Sequence, residues 1–333
     1  MEKHLSQSSE SPPGPDYPQG PDDPQGPGDP QGPGDPHGPS ALSSSVARDI
    51  ARMCKEPLAP GLHLVATPIG NLGDITLRAL SVLRRADVVY CEDTRHSAKL
   101  LQHFAIHAVT RPFHEHNEET ERLRVLAELE AGKAIALISD AGTPLVSDPG
   151  FKLVRACAGA GHFVSCVPGP SSLVTALAAS GLPTDAFFFG GFLPPKQAAR
   201  RARLAELKAI PATLIFFEAP QRAAATLSDM ADVLGERPAV MARELTKLHE
   251  EIARAPLAAL AKDLAARDVK GEIVLLVGPP LALEISDDAI TAQLEAALVT
   301  MRLKDAANAV ADALGVSKSR VYGLGLRVKQ EKA

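Results

Sequence analysis

One segment, Ala134–Gly150, constrains the fold more than any other part of the chain. It opens with an apolar run whose length and bulk are typical of a buried parallel strand. The run stops at Ser139-Asp-Ala-Gly-Thr-Pro144, whose turn-forming residues cannot continue a strand. Asp148 and Pro149 then predict the N-cap and first position of a helix through Cys157. The segment therefore predicts a strand, a loop and a helix, which is the repeating unit of an α/β sheet.

The loop in this segment is a candidate ligand site. Open α/β sheets bind their ligands at the carboxyl ends of the strands. This loop is long and contains two aspartates and two serines. An ordinary strand-to-helix connection is the alternative, but the polar content favours a site.

Strands and helices alternate on both sides of this segment. Further strands are predicted at residues 62–69, 86–91, 109–116 and 162–167, with helices at 74–85 and 118–130 and another that ends at Ser180. Such alternation predicts a parallel sheet covered on both faces. We assign it to a first α/β domain over residues 58–182.

The next part of the chain has shorter links between its strands. Strands are predicted at residues 185–192, 212–217, 239–246, 249–253 and 271–277, and helices at 196–209, 220–234 and 256–266. The link around Lys247-Leu248 predicts a hairpin, so this second α/β domain, residues 183–283, should contain a mixed sheet.

The two ends of the chain differ from the α/β body. Residues 1–57 carry proline- and glycine-rich repeats with few apolar side chains, and predict a disordered tail. Residues 284–333 predict three helices, with Gly315 in the turn before the third, and the part from Met301 onward is locally basic. This pattern favours a helix-turn-helix-like unit, although a small packing bundle would also explain it.

Composition argues against two classes of protein. No apolar stretch approaches the ~18 residues of a membrane span, and no secretory signal is visible. The four cysteines show no C-x-x-C spacing, so we expect reduced thiols in a cytoplasmic protein rather than a disulfide or metal framework. His114 and His116 lack a third ligand nearby, so we predict no metal site.

The loops also limit the ligand. Gly70-Asn-Leu-Gly73 lacks the spacing of the dinucleotide fingerprint, and no Walker lysine motif is present. A dinucleotide or nucleoside triphosphate is therefore disfavoured. A phosphate-free nucleoside cofactor fits better, and S-adenosylmethionine is the obvious candidate.

Eight ordered motifs resemble those of the tetrapyrrole-methylase fold family, in the branch that methylates ribosomal RNA. They fall within about residues 60–280 and are Ala66–Thr76, Cys91–Arg95, Phe113–Asn117, Ser139–Pro144, Pro168–Ser172, Gly191–Lys196, Phe217–Arg222 and Arg243–Glu250. The resemblance implies a two-domain α/β fold followed by a helix-turn-helix unit.

The same resemblance implies an activity. It is 2′-O-methylation of a cytidine ribose in the decoding region of small-subunit (16S) ribosomal RNA, with S-adenosylmethionine as methyl donor and the 30S subunit as partner. A homodimer is expected from the family alone. Two alternatives remain: a methyltransferase acting on a tetrapyrrole, and a ligand-sensing regulator whose helix-turn-helix unit binds DNA.

For the methyl donor we expect backbone amides and small side chains in the loops after the first, fourth and fifth strands, with a loop of the second domain closing over them. The candidates are Pro68, Ser139, Asp140, Ala141, Gly142, Ser171, Ser172, Phe217 and Ala219. Any one of these residues could be present only to form its turn, but the set as a whole favours a cofactor site.

The candidate catalytic residues form two pairs of opposite charge at predicted strand ends. They are Asp93 with Arg95, and Glu244 with Lys247. Pairing keeps a carboxylate ionised and ready to accept the proton of a ribose hydroxyl. These pairs could equally be structural, and Glu92 and Glu218 are two further candidates for the base.

Basic side chains near the motifs are candidates for phosphate contacts, which position a nucleic acid. They are Lys196, Arg200, Arg201, Arg222 and Arg243, together with Lys318 and Arg320 in the C-terminal unit. Solvated surface charge is the alternative for each of them.

Overall fold

The computed structural model describes residues 39–280 and 286–331. Helix α1 occupies Pro39–Met53, so the prediction of a disordered tail is wrong over these residues. The helix has proline at its first position, and Leu42, Val46 and Ile50 recur every four residues, as an amphipathic helix requires. The proline- and glycine-rich composition of the preceding repeats obscured this short pattern. The rest of the predicted tail, up to residue 38, lies outside the described residues.

The first α/β domain contains five strands and five helices. They are β1 (Gly61–Val65), α2 (Leu77–Arg85), β2 (Val88–Cys91), α3 (Thr94–His103), β3 (Thr110–Pro112), α4 (Glu118–Glu130), β4 (Ala134–Ile138), α5 (Phe151–Gly159), β5 (Val164–Val167) and α6 (Ser172–Ser180). The strands are all parallel, in the order β3-β2-β4-β1-β5. The prediction of a parallel sheet is confirmed.

Strand β4 lies at the centre of this sheet and is buried along its whole length. Ala136 and Ile138 pack towards α2 and α3 on one face. Ile135 and Leu137 pack on the other face, against α4 and α5. Burial of both faces explains why β4 is a continuous apolar run rather than an alternating one.

The second α/β domain contains β6 (Phe187–Phe192), α7 (Gln197–Leu207), β7 (Thr213–Glu218), α8 (Pro220–Leu234), β8 (Pro238–Arg243), β9 (Glu251–Pro256), α9 (Leu257–Ala265) and β10 (Ile273–Val277). The sheet order is β6-β7-β10-β8-β9, in which only the β6–β7 pair is parallel. The predicted mixed sheet and the β8–β9 hairpin are both confirmed.

The two sheets are joined through helix α6. Helices α7, α8 and α9 pack on one face of the second sheet. The other face receives Leu173, Ala176 and Leu177 of α6. This apolar contact fixes the carboxyl ends of the first sheet beside the second domain.

Three helices follow: α10 (Asp287–Leu298), α11 (Leu303–Leu314) and α12 (Lys318–Glu331). They share a core that includes Ile290, Leu294 and Val310. At Gly325 in α12, a Cβ would come within 2.3 Å of Leu303 Cδ1, so glycine permits the close approach of α11 and α12. The predicted helices and the turn at Gly315 are confirmed.

Candidate active site between the two α/β domains

The loop after β4 is longer than the sequence predicts. Helix α5 begins at Phe151, with Gly150 at its N-cap position, so the predicted helix start at Asp148-Pro149 is wrong. The physical reason is the backbone: Gly150, which would lie inside the predicted helix, has a φ of +120°, which a right-handed helix does not allow. The loop therefore extends from Ser139 to Gly150 and leaves the Asp148 side chain available for a different role.

Three loops at the carboxyl ends of the first sheet are bonded together. Thr67, which follows β1, exchanges two backbone hydrogen bonds with Gly142, with N···O distances of 2.9 and 3.1 Å. The Thr143 hydroxyl donates to the carbonyl oxygen of Pro170, which follows β5, at 3.1 Å. These bonds hold the loops after β1, β4 and β5 in one arrangement.

A cleft of about 330 Å³ separates these loops from the second domain; we call it the interdomain cleft. Its first-domain wall includes Ala141, Val146, Asp148 and Ser172, and its second-domain wall includes Phe192, Phe217, Ala219, Pro220, Gly271, Glu272, Ile273 and Val274. Mainly apolar walls with a few polar groups are typical of a small-molecule site.

A bulge in β6 directs an aromatic side chain into this cleft. Phe189 pairs with Ile215 but Phe192 pairs with Phe217, so β6 has one extra residue between them. Because of the bulge, Phe189 and Phe192 lie on the same face, and their rings lie 4.9 and 5.7 Å from the ring of Phe217. Gly190 is required at the bulge, since a Cβ there would come within 2.4 Å of the Phe216 ring.

A second cavity, of about 250 Å³, lies within the first domain; we call it the first-domain cavity. It is lined by Thr67, Pro68, Gly70 and Leu72 after β1, by His96, Ser97, Lys99 and Leu100 of α3, and by Ser139 and Asp140 after β4. The loop at residues 139–141 separates it from the interdomain cleft.

The predicted cofactor residues are thus divided between two cavities. Ala141, Ser172, Phe217 and Ala219 line the interdomain cleft, whereas Pro68, Ser139 and Asp140 line the first-domain cavity. Gly142 forms the backbone bridge to Thr67, and Ser171 occupies the N-cap position of α6.

Asp148 is a site residue that the sequence analysis missed, because its position before a proline suggested a helix cap. Asp148 lines the interdomain cleft. Burial raises the pKa of Asp148 to about 6, and the nearby Glu92 and Asp140 carboxylates act in the same direction, against a hydrogen bond from Ser139. Burial and Asp140 likewise raise the pKa of Glu92. A cation bound in the cleft would favour the ionised form of Asp148.

The predicted pair of Asp93 and Arg95 is present at the start of α3. Asp93 accepts the Arg95 backbone N–H at 2.8 Å and pairs with its guanidinium at 3.2 Å. These hydrogen bonds lower the pKa of the Asp93 carboxyl, which makes it a weak base. The Arg95 side chain is 91% exposed and remains accessible to a polyanion.

The second predicted pair is part of a larger cluster in the β8–β9 hairpin. Lys247 Nζ lies 2.9 Å from Glu244 and 3.1 Å from Glu272. Burial lowers the pKa of Lys247, but the hydrogen bonds to the two carboxylates outweigh it and raise the pKa. The Lys247 hydrogen bond lowers the pKa of Glu244. Glu244 and Thr246 both have positive φ, so the hairpin turn is strained.

The Glu218 carboxylate is held by hydrogen bonds within the second domain. Its carboxylate accepts hydrogen bonds from the Thr226 hydroxyl at 2.6 Å, the Ala219 N–H at 2.8 Å and the Arg222 guanidinium at 3.1 Å. These bonds attach the start of α8 to the end of β7. Glu218 therefore stabilises the loop beside the cleft rather than offering a free base.

Of the predicted RNA-binding residues, Arg200 lies where RNA cannot reach it. It is 5% exposed, and its guanidinium pairs with the buried Asp229 at 2.6 Å. The prediction for Arg200 is therefore wrong, because this side chain joins α7 to α8 inside the second domain.

The other predicted RNA-binding side chains are more accessible. Lys196 is exposed at the N-cap position of α7. The rest are paired with acidic side chains of the same domain: Arg201 with Asp232, Arg222 with Glu218, Arg243 with Glu251, Lys318 with Asp312 and Arg320 with Asp287.

Two negative observations apply to the described residues, 39–280 and 286–331. None of their helices is long and apolar enough to cross a membrane. Nor do they contain a group of three or more His, Cys, Asp or Glu side chains arranged to hold a metal ion.

Comparison with known families identifies two matches along the chain. Residues 61–261 match the profile of the tetrapyrrole (corrin/porphyrin) methylases. Residues 284–329 match a profile described as the RsmI C-terminal HTH domain. Together the two matches cover both α/β domains and the three C-terminal helices.

Several relatives are similar over most of their length. The chain is 50% identical over 275 residues to ribosomal RNA small subunit methyltransferase I of Mesorhizobium japonicum, covering 82% of this chain and 94% of the relative. It is 48% identical to the protein of the same name from Escherichia coli O157:H7, covering 80% and 94%.

Solved structures confirm the fold. The methyltransferase CobJ superposes with a TM-score of 0.51 at 17% identity, covering 66% of this chain and 95% of that one. Diphthine synthase superposes with a TM-score of 0.51 at 16% identity, covering 65% and 90%. The predicted two-domain tetrapyrrole-methylase-like fold is confirmed.

Proposed function

The chain belongs to the tetrapyrrole (corrin/porphyrin) methylase family, and from this premise we propose that it methylates ribosomal RNA. The methyl group passes from S-adenosylmethionine to the 2′-oxygen of a cytidine in the decoding region of 16S RNA within the small subunit. We further propose that it acts in the cytoplasm, where small subunits are assembled, and as a homodimer.

The observation that carries this proposal is the extent of the match to named relatives. Half of the aligned residues are identical to a ribosomal RNA small subunit methyltransferase I, over 94% of that protein's length. The three C-terminal helices match the corresponding domain of the same protein type.

The interdomain cleft fits S-adenosylmethionine. Its apolar wall, which includes Phe192, Phe217 and Ala219, suits an adenine ring. The donor also carries a sulfonium and an ammonium group, and the carboxylates of Asp148 and Glu272 at the cleft complement these cations.

The chemistry requires alignment more than acid or base strength. The donor supplies an electrophilic methyl group, and the ribose oxygen must approach in line with the bond that breaks. Well-oriented reactants can gain about 7–11 kcal/mol. The Thr67–Gly142 bridge and the Lys247 cluster supply this rigidity, because they fix the loops on both sides of the cleft.

The predicted catalytic pairs act in this proposal as positioning groups. Ion pairing lowers the pKa of Asp93 and of Glu244, so neither is a strong proton acceptor. Lys247 stays cationic because its pKa is raised. Arg95 is the member with the greatest exposure, and it is available to an RNA phosphate.

The two rival functions are weaker on specific grounds. A tetrapyrrole methyltransferase has no evident use for the three C-terminal helices. A DNA-binding regulator has no evident use for a second cavity, on the other side of the loop that lines the cleft.

One experiment separates the three functions. The protein is incubated with methyl-labelled S-adenosylmethionine and, in parallel, with 30S subunits from a strain lacking the methyltransferase, with precursor tetrapyrroles, or with DNA. We expect label on a ribose of 16S RNA. Label on a macrocycle, or tight DNA binding without transfer, would contradict the proposal.

A further inference from the structure

We propose that the first-domain cavity receives the target nucleoside, so that acceptor and donor occupy separate cavities on two sides of one loop. This inference rests on the proposed function and adds the location of its substrate. It assigns a role to a cavity outside the interdomain cleft.

The two cavities are adjacent. Ser139 and Asp140 line the first-domain cavity, whereas Ala141, the next residue, lines the interdomain cleft. On the second-domain side, the Lys247 stem lies against Gly70 of the first-domain cavity, and its amine bonds to Glu272 of the cleft. A nucleoside in one cavity would thus lie beside a methyl donor in the other.

The lining of the first-domain cavity suits a pyrimidine nucleoside. Leu72 is 40% exposed at the rim, on a 3-10 turn that Asn71 caps by accepting the Gly73 N–H at 2.9 Å. A rigidly held apolar side chain beside Pro68 offers a surface for a pyrimidine base. A volume of about 250 Å³ accommodates one such nucleoside.

Basic side chains lie beside the first-domain cavity. His96 and Lys99 of α3 are exposed at the cavity, and the neighbouring Arg95 is 91% exposed. The Lys99 and Arg95 cations beside an apolar cavity suit a nucleoside whose two phosphates continue into an RNA strand.

A second groove beside the loop after β4 could also receive the RNA, but its charge is unsuitable. The groove on the opposite side of the loop after β4 is lined by Glu92, Glu115, Glu118 and Asp148, with Lys152 as its basic side chain. Four carboxylates against one lysine would repel an RNA backbone.

Asp140 completes the assignment as the proton acceptor, because it lines the nucleoside cavity and belongs to the separating loop. Its Oδ1 accepts the Asp93 N–H at 3.2 Å, which holds the carboxylate in place. The ribose O2′ forms a bond to the methyl carbon while the methyl–sulfur bond breaks and its electron pair remains on sulfur. The hydroxyl proton passes to the Asp140 carboxylate and then to water.

The test compares substitutions in the two cavities with matched controls. Leu72→Trp fills the cavity and Lys99→Glu reverses a charge at its rim. The controls are Leu123→Trp, at an exposed leucine of α4, and Lys152→Glu in the rival groove. The measurements are KM and kcat with 30S subunits, and the Kd of S-adenosylhomocysteine by calorimetry.

We expect Leu72→Trp and Lys99→Glu to raise the KM for 30S subunits by about tenfold or more, with the Kd changed by less than about twofold. Asp140→Asn should lower kcat by about 10²–10⁴-fold with that KM unchanged. Loss of cofactor affinity in Leu72→Trp, or a raised KM in Lys152→Glu alone, would overturn the inference. No transfer to 30S subunits by the unmodified protein would reject the proposed function itself.

Discussion

The Lys247 side chain lies directly against Gly70, so that a Cβ on Gly70 would come within 2.4 Å of Lys247 Cγ. Gly70 follows β1 of the first domain, and Lys247 belongs to the β8–β9 hairpin of the second. Two carboxylates hold the Lys247 amine, at 2.9 and 3.1 Å. This contact fixes the position of the strained hairpin against the loop that lines the first-domain cavity.

Gly70→Ala should therefore reduce methyl transfer strongly, because the new methyl group must displace Lys247 and the residue has a φ of +150°. We expect kcat to fall by about tenfold or more in single-turnover assays with 30S subunits. Gly132→Ala is the control, since Gly132 also has positive φ but has no atom within 4 Å of a new Cβ. An equal effect of both substitutions would show that backbone strain, rather than the Lys247 contact, is responsible.

Asp148 should make the stability of the protein depend on pH. Its folded-state pKa of about 6 lies above the ordinary aspartate value, so the folded state binds the proton more tightly. The stabilisation is complete below about pH 4 and is lost as the pH rises through 6. Because the group is only partly buried, we expect a loss of about 1–2 kcal/mol.

Asp148→Asn should remove this pH dependence and raise the melting temperature at pH 7.5 by a few degrees. The same substitution should weaken S-adenosylmethionine binding, which the ionised carboxylate favours. Melting curves between pH 4 and 8 measure the first effect and calorimetry the second. A variant that melts in parallel with the unmodified protein at every pH would refute the assigned pKa.

Arg200→Met should destabilise the second domain without a specific effect on RNA. Burial raises the pKa of Asp229, but hydrogen bonds from Arg200, Gln197 and Arg201 outweigh it and lower the pKa. Removing one partner of a buried pair costs about 3–5 kcal/mol; because Arg201 and Gln197 remain, we expect the lower end. Arg203→Met, at an exposed pair with Glu206 on the same helix, should cost less than about 1 kcal/mol in urea unfolding.

Lys318→Glu should weaken association with 30S subunits if the C-terminal helices contact RNA. Lys318 is 60% exposed at the start of α12. Losing one phosphate contact should lower the affinity for 30S subunits by about tenfold. It should also reduce the slope of log affinity against log salt concentration by about one. Lys262→Glu, at an exposed lysine of α9, is the matched control. Equal affinities for the two variants would favour a purely structural bundle.

Regular apolar patterns made much of the fold predictable. The buried strand β4 occupies the predicted residues because a short run that is apolar on both faces is stable at the centre of a sheet that is covered on both sides. The β8–β9 hairpin followed from a short polar link between two strands. Helix α1 was missed because the proline- and glycine-rich composition of the preceding repeats obscured the short apolar pattern of the helix.

The site was less predictable because it depends on contacts between distant residues. Nothing near Arg200 in sequence signals its burial against Asp229, which lies on the next helix. Asp148 precedes a proline and resembles a cap, yet the positive φ of Gly150 delays the helix to Phe151. The division of the predicted cofactor residues between two cavities likewise required the three-dimensional arrangement.

The most direct test of the central claim is a crystal structure of the protein soaked with S-adenosylmethionine. We predict that the nucleoside lies in the interdomain cleft, against Ala141, Ser172 and Phe217, with the methyl group of the donor directed towards Asp140. Density for the compound in the first-domain cavity, or a cleft closed by packed side chains, would contradict it.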